Sequence, residues 1–146
     1  ELRPTLLDDL GLVAATRWLA EENLKSTGVT INFRVVGVER RLSTQLETTI
    51  FRVIQEAITN IARHARAMKA SIALHFTRNA IKVNIKDNGA GFDVEEAISS
   101  KQRPRGLGLL GMKERVELFN GNFTIRSHSG GGTEIRIKIP LEQGVV

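Results

Sequence analysis

Arg52, Glu56, Asn60 and His64 follow one another at intervals of four, beside apolar positions at Ile50, Val53, Ile54, Ala57, Ile58 and Ile61. On a helix this spacing stacks the four polar groups in one stripe along the edge of the buried side. Such a stripe reads as a solvated face with local ion pairs, or as a set of ligands. In the second reading Glu56 or Asn60 offers hard oxygen to Mg²⁺, while Arg63 or His64 meets phosphate oxygens. An ion held mainly by nucleotide phosphates needs few protein ligands, so Asn60 alone suffices as a direct contact.

A further carboxylate closes the segment AIKVNIKD. Ile81, Val83 and Ile85 alternate with Lys82, Asn84 and Lys86, and the same parity carries Asp87 to the apolar side. A carboxylate there needs a donor from the protein or from a ligand. The exocyclic amine of adenine is one such donor, and Gly89 and Gly91 in the following DNGAG let backbone approach a base closely. Asp87-Asn88-Gly89 is equally a common local bend. In the last strand pattern Thr133 shares the parity of Ile135, Ile137 and Ile139, so its hydroxyl reaches a base-bound water or Asp87. The glycines before it, Gly130 to Gly132, also read as a tight hairpin.

GLGLLGMKER, Gly106 to Arg115, places glycines ahead of a helical pattern, where backbone amides turn toward an anion. It is neither a GxxxxGK[ST] phosphate loop nor a dinucleotide fingerprint, which needs a strand directly before it.

The elements that must hold these groups follow from periodicity. Leu6, Leu7, Leu10, Val13, Ala14, Trp18 and Leu19 recur at helical spacing, with Gly11 as an interruption. VTINFRVVG reads as a strand ending at Gly37. Leu46 to Ala65 is the longest helix pattern, and ASIALHFT and AIKVNIKD form a hairpin around Arg78 and Asn79. EEAISSKQRPRG reads as a mobile connection with room for a short helix. Met112 to Phe119 gives another helix, and GNFTIRSHS with TEIRIKI a final hairpin. This alternation predicts an α/β fold, a two-layer sandwich with helices packed on a mixed β-sheet.

The chain of 146 residues, 41% hydrophobic and 25% charged, has the size and composition of one globular domain. No apolar run approaches the roughly 18 residues of a membrane span. Without cysteine there is no disulfide framework or thiolate metal site, and His64, His75 and His128 are too scattered for zinc. A net charge of +5 and a pI of about 10.1 call for an anionic partner. Aromatics are few, six Phe and one Trp, which disfavours a base-stacking surface and direct nucleic-acid binding.

Taken in order, QEAITNIARHA, DNGAGF, GLGLLGMKERV and GGGTEIRIKIP closely resemble the ATP-binding catalytic domain of bacterial two-component sensor histidine kinases. That domain is part of the wider superfamily shared with type II topoisomerases, Hsp90 chaperones and mismatch-repair ATPases. The resemblance runs from about Val29 to Pro140. The leading LRPTLLDDLGLVAATRWLAEE resembles the segment that joins dimerisation helices to the catalytic domain in kinases paired with helix-turn-helix response regulators. It implies a helical linker and domain start at 1–28 and the catalytic domain at 29–146, in a left-handed, Bergerat-type sandwich.

Carried over residue by residue, the resemblance implies Mg²⁺ contact at Asn60, with Glu56 beside it as the other catalytic candidate. It implies adenine recognition at Asp87, a base pocket shaped by Gly89 and Gly91, and assistance from Thr133. Gly106, Gly108, Leu109 and Gly111 would form a lid over the phosphates, with His64, Lys113 and Arg115 as phosphate-side candidates. The expected cofactors are ATP and Mg²⁺. The γ-phosphoryl group passes to a histidine on a dimerisation domain of the same parent, then to an aspartate of a response regulator. None of the three histidines resembles that acceptor, so the fragment is expected to bind nucleotide as a monomer without efficient autophosphorylation. The parent would be a homodimer, and this domain would be cytoplasmic without touching a membrane. A serine-protein kinase or anti-sigma regulator, or the ATPase domain of a DNA-acting protein, would share the fold.

Overall fold

Ser43 starts the longest helix: its hydroxyl accepts the Leu46 amide at 3.2 Å and relieves one orphan donor of the first turn. The helix it caps, α3 (Thr44–Asn60), buries Ile50, Val53, Ile54, Ala57 and Ile58. The structure is a computed structural model that describes residues 5–99 and 104–141, and within them all side chains except those of residues 64, 65 and 104–107.

The sheet contains β1 (Thr30–Val36), β2 (Lys69–Phe76), β3 (Ala80–Asp87), β4 (Asn122–Ser127) and β5 (Thr133–Pro140), in spatial order β1-β2-β3-β5-β4. β1 and β2 are parallel and the other neighbours antiparallel. A parallel pair needs a crossover connection, and α3 supplies it. Ile72, Leu74, Ile81, Val83, Ile85, Ile135, Ile137 and Ile139 turn to the helices and share one core with them. The mixed two-layer α/β architecture read from the sequence is the one observed.

The N-terminal run splits at Gly11, whose φ of 88° ends α1 (Thr5–Leu10) before α2 (Leu12–Leu24). Leu7, Leu12, Leu19 and Leu24 join the common core, so these helices pack as part of the sandwich. Arg41, in the β1–α3 connection, ties α1 to α3. Its guanidinium donates to the Asp8 carbonyl at 3.2 Å and to the Glu47 carboxylate at 3.1 Å. Glu47 is 1% exposed and depends on such donors for its burial.

Three segments differ from the sequence reading. The helix expected to run to Ala65 leaves α-geometry after Asn60 and widens into a π-turn, Ile61–Ala65, closed by Arg66 at φ 52°. Such wide turns occur often at functional sites, and here the α-geometry that the stripe assumes ends at Asn60. In the polar stretch, Val94–Ser99 forms the short helix α4, whose first turn is capped where Asp93 accepts the Glu96 amide. Residues 100–103 of that stretch lie outside the described residues.

The third difference concerns GLGLLG. The expected loop ahead of a helix at Met112 is itself helical, within α5 (Pro104–Glu117). Leu109, Met112 and Val116, at i, i+3 and i+7, are all buried. Burying three large side chains at about 1.5–3 kcal/mol each outweighs about 1 kcal/mol per helical glycine. Periodicity overrode propensity, and Pro104 opens the helix at the position where a missing N–H costs nothing.

Candidate nucleotide site

The β3–β5 register sets Asp87 opposite Thr133, at the ends of two central strands. The end of α3 brings Asn60 to the same place. These three polar residues line one pocket, whose walls include Ala57, Ile61, Ile85 and Ile135. Mostly apolar walls with a few convergent polar groups are the general form of a small-molecule site.

Asp87 is 6% exposed. The Gly89 amide donates to its Oδ1 at 2.8 Å, closing a turn of the Asp-Asn-Gly kind. The two readings of this sequence therefore coexist: one carboxylate oxygen holds the bend, and the other has no partner among the described residues. Burial pushes the Asp87 pKa above the ordinary carboxylate range, and the Gly89 hydrogen bond opposes this. The carboxamide of Asn60 likewise makes no hydrogen bond among the described residues.

Thr133 does not use its hydroxyl on Asp87. Its partner is Ser127, with Oγ1 2.8 Å from the serine Oγ. Ser127 donates to the Gly132 carbonyl at 3.0 Å and accepts the Phe92 amide at 2.9 Å. With the single serine proton on Gly132, the Thr133 hydroxyl donates to Ser127 and keeps its own lone pairs for another donor. Ser127 escaped the sequence reading, although it carried a signal like that of Asp87. It is the polar residue at the end of a strand whose Phe123 and Ile125 face inward.

The two glycine loops touch. Gly130 donates to the Ala90 carbonyl, and a Cβ on Gly91 would overlap the His128 carbonyl, at a φ of 67° that already favours glycine. Gly91 also lines the pocket, together with Phe92 and Ile125, two residues the sequence reading did not single out.

α5 covers the remaining side. Leu109 lines the pocket at 2% exposure, and the Glu56 carboxylate lies against Gly108, where a Cβ would overlap it. The pocket has about 20 Å³ of free space, near the volume that admits one water, so a purine enters only if the walls, Leu109 among them, give way. A Cβ on Gly111 would meet nothing nearer than an Arg115 nitrogen at 4.0 Å, and Lys113 and Arg115 are exposed and do not line the pocket. Gly106 lies in the α5 backbone, and its surroundings and the His64 side chain fall outside the described side chains. His75 belongs to the opposite face of the sheet, and His128 is exposed beside Gly131.

A family model described as histidine kinase-, DNA gyrase B- and HSP90-like ATPase matches residues 45–143. The chain belongs to this ATPase family. The ATPase domain is 42% identical over 142 residues to the signal transduction histidine-protein kinase/phosphatase DegS of Bacillus subtilis (strain 168), covering 95% of this chain and 36% of DegS. It is 36% identical over 141 residues to the oxygen sensor histidine kinase NreB of Staphylococcus carnosus (strain TM300), covering 97% of this chain and 40% of NreB. The chain thus spans little more than a third of these relatives. Among solved structures, the Erythrobacter litoralis EL346 blue-light activated histidine kinase superposes with a TM-score of 0.66 at 21% identity, over 90% of this chain and 42% of that one. That likeness shows the fold. Together with the family match, the relatives make this an ATP-binding catalytic domain of the histidine-kinase type.

Proposed function

We propose that this domain positions Mg-ATP for transfer of its γ-phosphoryl group to a histidine elsewhere in the parent protein, and from there to an aspartate of a response regulator. The observation that carries the reading is Asp87, a buried carboxylate at the head of the pocket with one oxygen unpartnered. The adenine amine supplies the missing donor, and the Thr133 lone pairs accept from a base-bound water.

Asn60 would offer its carbonyl oxygen to Mg²⁺, an ion that needs few protein ligands when nucleotide phosphates supply the rest. Bound Mg-ATP supplies the phosphoryl group and the neutralising charge. Glu56, beside Asn60 on α3, orients the attacking group or a water. Gly89 and Gly91 shape the base side. Gly106, Gly108, Leu109 and Gly111 act as a lid that is coiled into α5 and uncoils or shifts to admit nucleotide; Lys113 and Arg115 on the same helix, with His64, meet the phosphates. Residues 1–28 link the catalytic domain, 29–146, to the acceptor region while completing its core. The setting is cytoplasmic, the isolated chain is a monomer, and the parent is a homodimer.

His64 lies in a π-turn, His75 in β2 and His128 beside a hairpin. None stands on a helix free to enter another domain's site, which supports an acceptor outside this chain. Radiolabelled ATP mixed with this chain alone then leaves it unlabelled. Adding a parent segment that bears a histidine on a dimerisation helix produces acid-labile label on that segment. Rapid stoichiometric phosphohistidine on the isolated chain overturns the assignment.

A further inference from the structure

The helices cover one face of the sheet, and the other face bears side chains of a different kind. Register places Val36, His75, Lys82, Lys138 and Asn122 in one row across the five strands, and Arg34, Ala73, Asn84, Arg136 and Thr124 in the next. A third row holds Asn32, Ser71, Lys86, Glu134 and Arg126. With Lys69, seven cations on this face of the strands meet a single outward carboxylate, Glu134, the other strand carboxylate, Asp87, facing the helices. That surplus exceeds the formal +5 of the whole chain, so the basic character of the protein resides here.

Glu134 is already engaged, with the Asn84 amide at 3.0 Å and Arg136 at 3.2 Å. Lys82 and Lys138 stand directly opposite each other on β3 and β5, a like-charge pairing that costs stability, and neither has an acidic partner among the described residues. The strands bound a shallow concavity of about 540 Å³ lined by Arg34, His75, Lys82, Arg136 and Lys138.

We infer that this face docks an acidic helix of a partner protein, laid across the strands. Carboxylates at i and i+3 or i+4 of a helix are about 5–6 Å apart. Neighbouring strands are about 4.7–4.9 Å apart, so each strand meets one carboxylate. The like-charged Lys82–Lys138 pair receives its counter-charge from the partner. No Phe, Tyr or Trp points from these strands to this face, and the lone imidazole of His75 is a poor stacking platform for a single-strand-binding surface. Val36 is the one exposed large hydrophobic on these strands, too little to anchor the face in a lipid interface, and Ala73 lines the concavity beside it. Asn84, Asn122 and Thr124 add hydrogen-bond donors between the charges. The face lies on the other side of the sheet from Asp87, so docking and nucleotide binding are separable.

The test uses a fluorescein-labelled, alanine-rich helical peptide carrying Glu at every fourth position, followed by anisotropy. The expected result is saturable binding that weakens with salt and falls roughly tenfold in the double variant Lys82→Glu/Lys138→Glu. ATP affinity, measured in parallel, stays at its original value and certifies the fold. If that variant fails to fold, Lys82→Gln/Lys138→Gln takes its place with a smaller loss in the same direction. Failure of the peptide to bind, or equal affinity for the original and substituted chains, overturns the inference. A single-stranded oligonucleotide of matched charge, or phosphatidylglycerol vesicles, binding more tightly with the same dependence on Lys82 and Lys138 overturns it in favour of nucleic acid or lipid.

Discussion

Gly108 on α5 lies against the carboxylate of Glu56 on α3, and a methyl group at that position would overlap it. Gly111, three residues on, has nothing nearer to such a methyl than an Arg115 nitrogen at 4.0 Å. Two glycine-to-alanine changes in one helix therefore differ in outcome. Gly111→Ala stabilises the domain by about 1 kcal/mol through helix propensity, whereas Gly108→Ala loses much of that gain because Glu56 must swing away. Thermal melts separate the two, and equal gains would contradict the packing described.

The same substitution tests the lid. If Leu109 must leave the pocket before a purine enters, a helix held more firmly by about 1 kcal/mol resists nucleotide by about the same amount. Gly111→Ala then raises the ATP dissociation constant about fivefold while raising the melting temperature. Calorimetric titration showing unchanged or tighter binding would mean that α5 already stands in its nucleotide-bound form.

Asp87→Asn keeps the size of the side chain and an oxygen for the Gly89 amide, yet loses the charge offered to an adenine amine. Adenine nucleotides bind about 10- to 100-fold more weakly, the worth of one hydrogen bond to a charged group. Asn60→Ala leaves binding in EDTA nearly unchanged and removes much of the gain on adding Mg²⁺. Titration of ADP with and without the metal distinguishes these effects, and the reverse pattern would exchange the two assignments.

Burial raises the pKa of Asp87 in the folded state above its unfolded value. Between those two values the folded chain holds more proton than the unfolded one, so the contribution of Asp87 to stability is present at low pH and is lost as pH rises through the folded pKa. Nucleotide affinity runs the other way, because the adenine amine prefers the ionised carboxylate. Acidification through this window should stabilise the empty domain while weakening its hold on ADP. Urea melts and ADP titrations across pH, with Asp87→Asn as reference, check both slopes; parallel profiles for the two proteins would rule out Asp87 as the titrating group.

Ser127 ties the Phe92 amide, the Gly132 carbonyl and the Thr133 hydroxyl together. Ser127→Ala strands these groups and costs about 1–3 kcal/mol. Because Thr133 loses its acceptor, nucleotide binding weakens with stability, whereas Ser129→Ala, on the exposed turn, leaves both unchanged. Denaturant midpoints and ADP titrations on the two variants form the comparison.

Much of this architecture was legible because period-two and period-four patterns report burial directly. Ile81, Val83 and Ile85 predicted the inward turn of Asp87, and Gly11 predicted the break between the first two helices. Side-chain hydroxyl partners were not legible: the Thr133–Ser127 pair depends on the β4–β5 register, which joins residues whose facing positions are fixed only in three dimensions. The glycines of GLGLLG misled for a related reason. Local propensity favours a loop, and only the space beneath Leu109, Met112 and Val116 makes a helix the lower state. The π-turn after Asn60 leaves the apolar period intact up to Ile61 and so gives no sequence signal.

The hydrogen bond from Gly89 to Asp87 has a spectroscopic consequence. An amide proton donated to a carboxylate resonates downfield and moves when the carboxylate is protonated, so the Gly89 amide is a native NMR reporter of the charge in the pocket. Its chemical shift follows the ionisation of Asp87 in the empty domain without a label or a substitution.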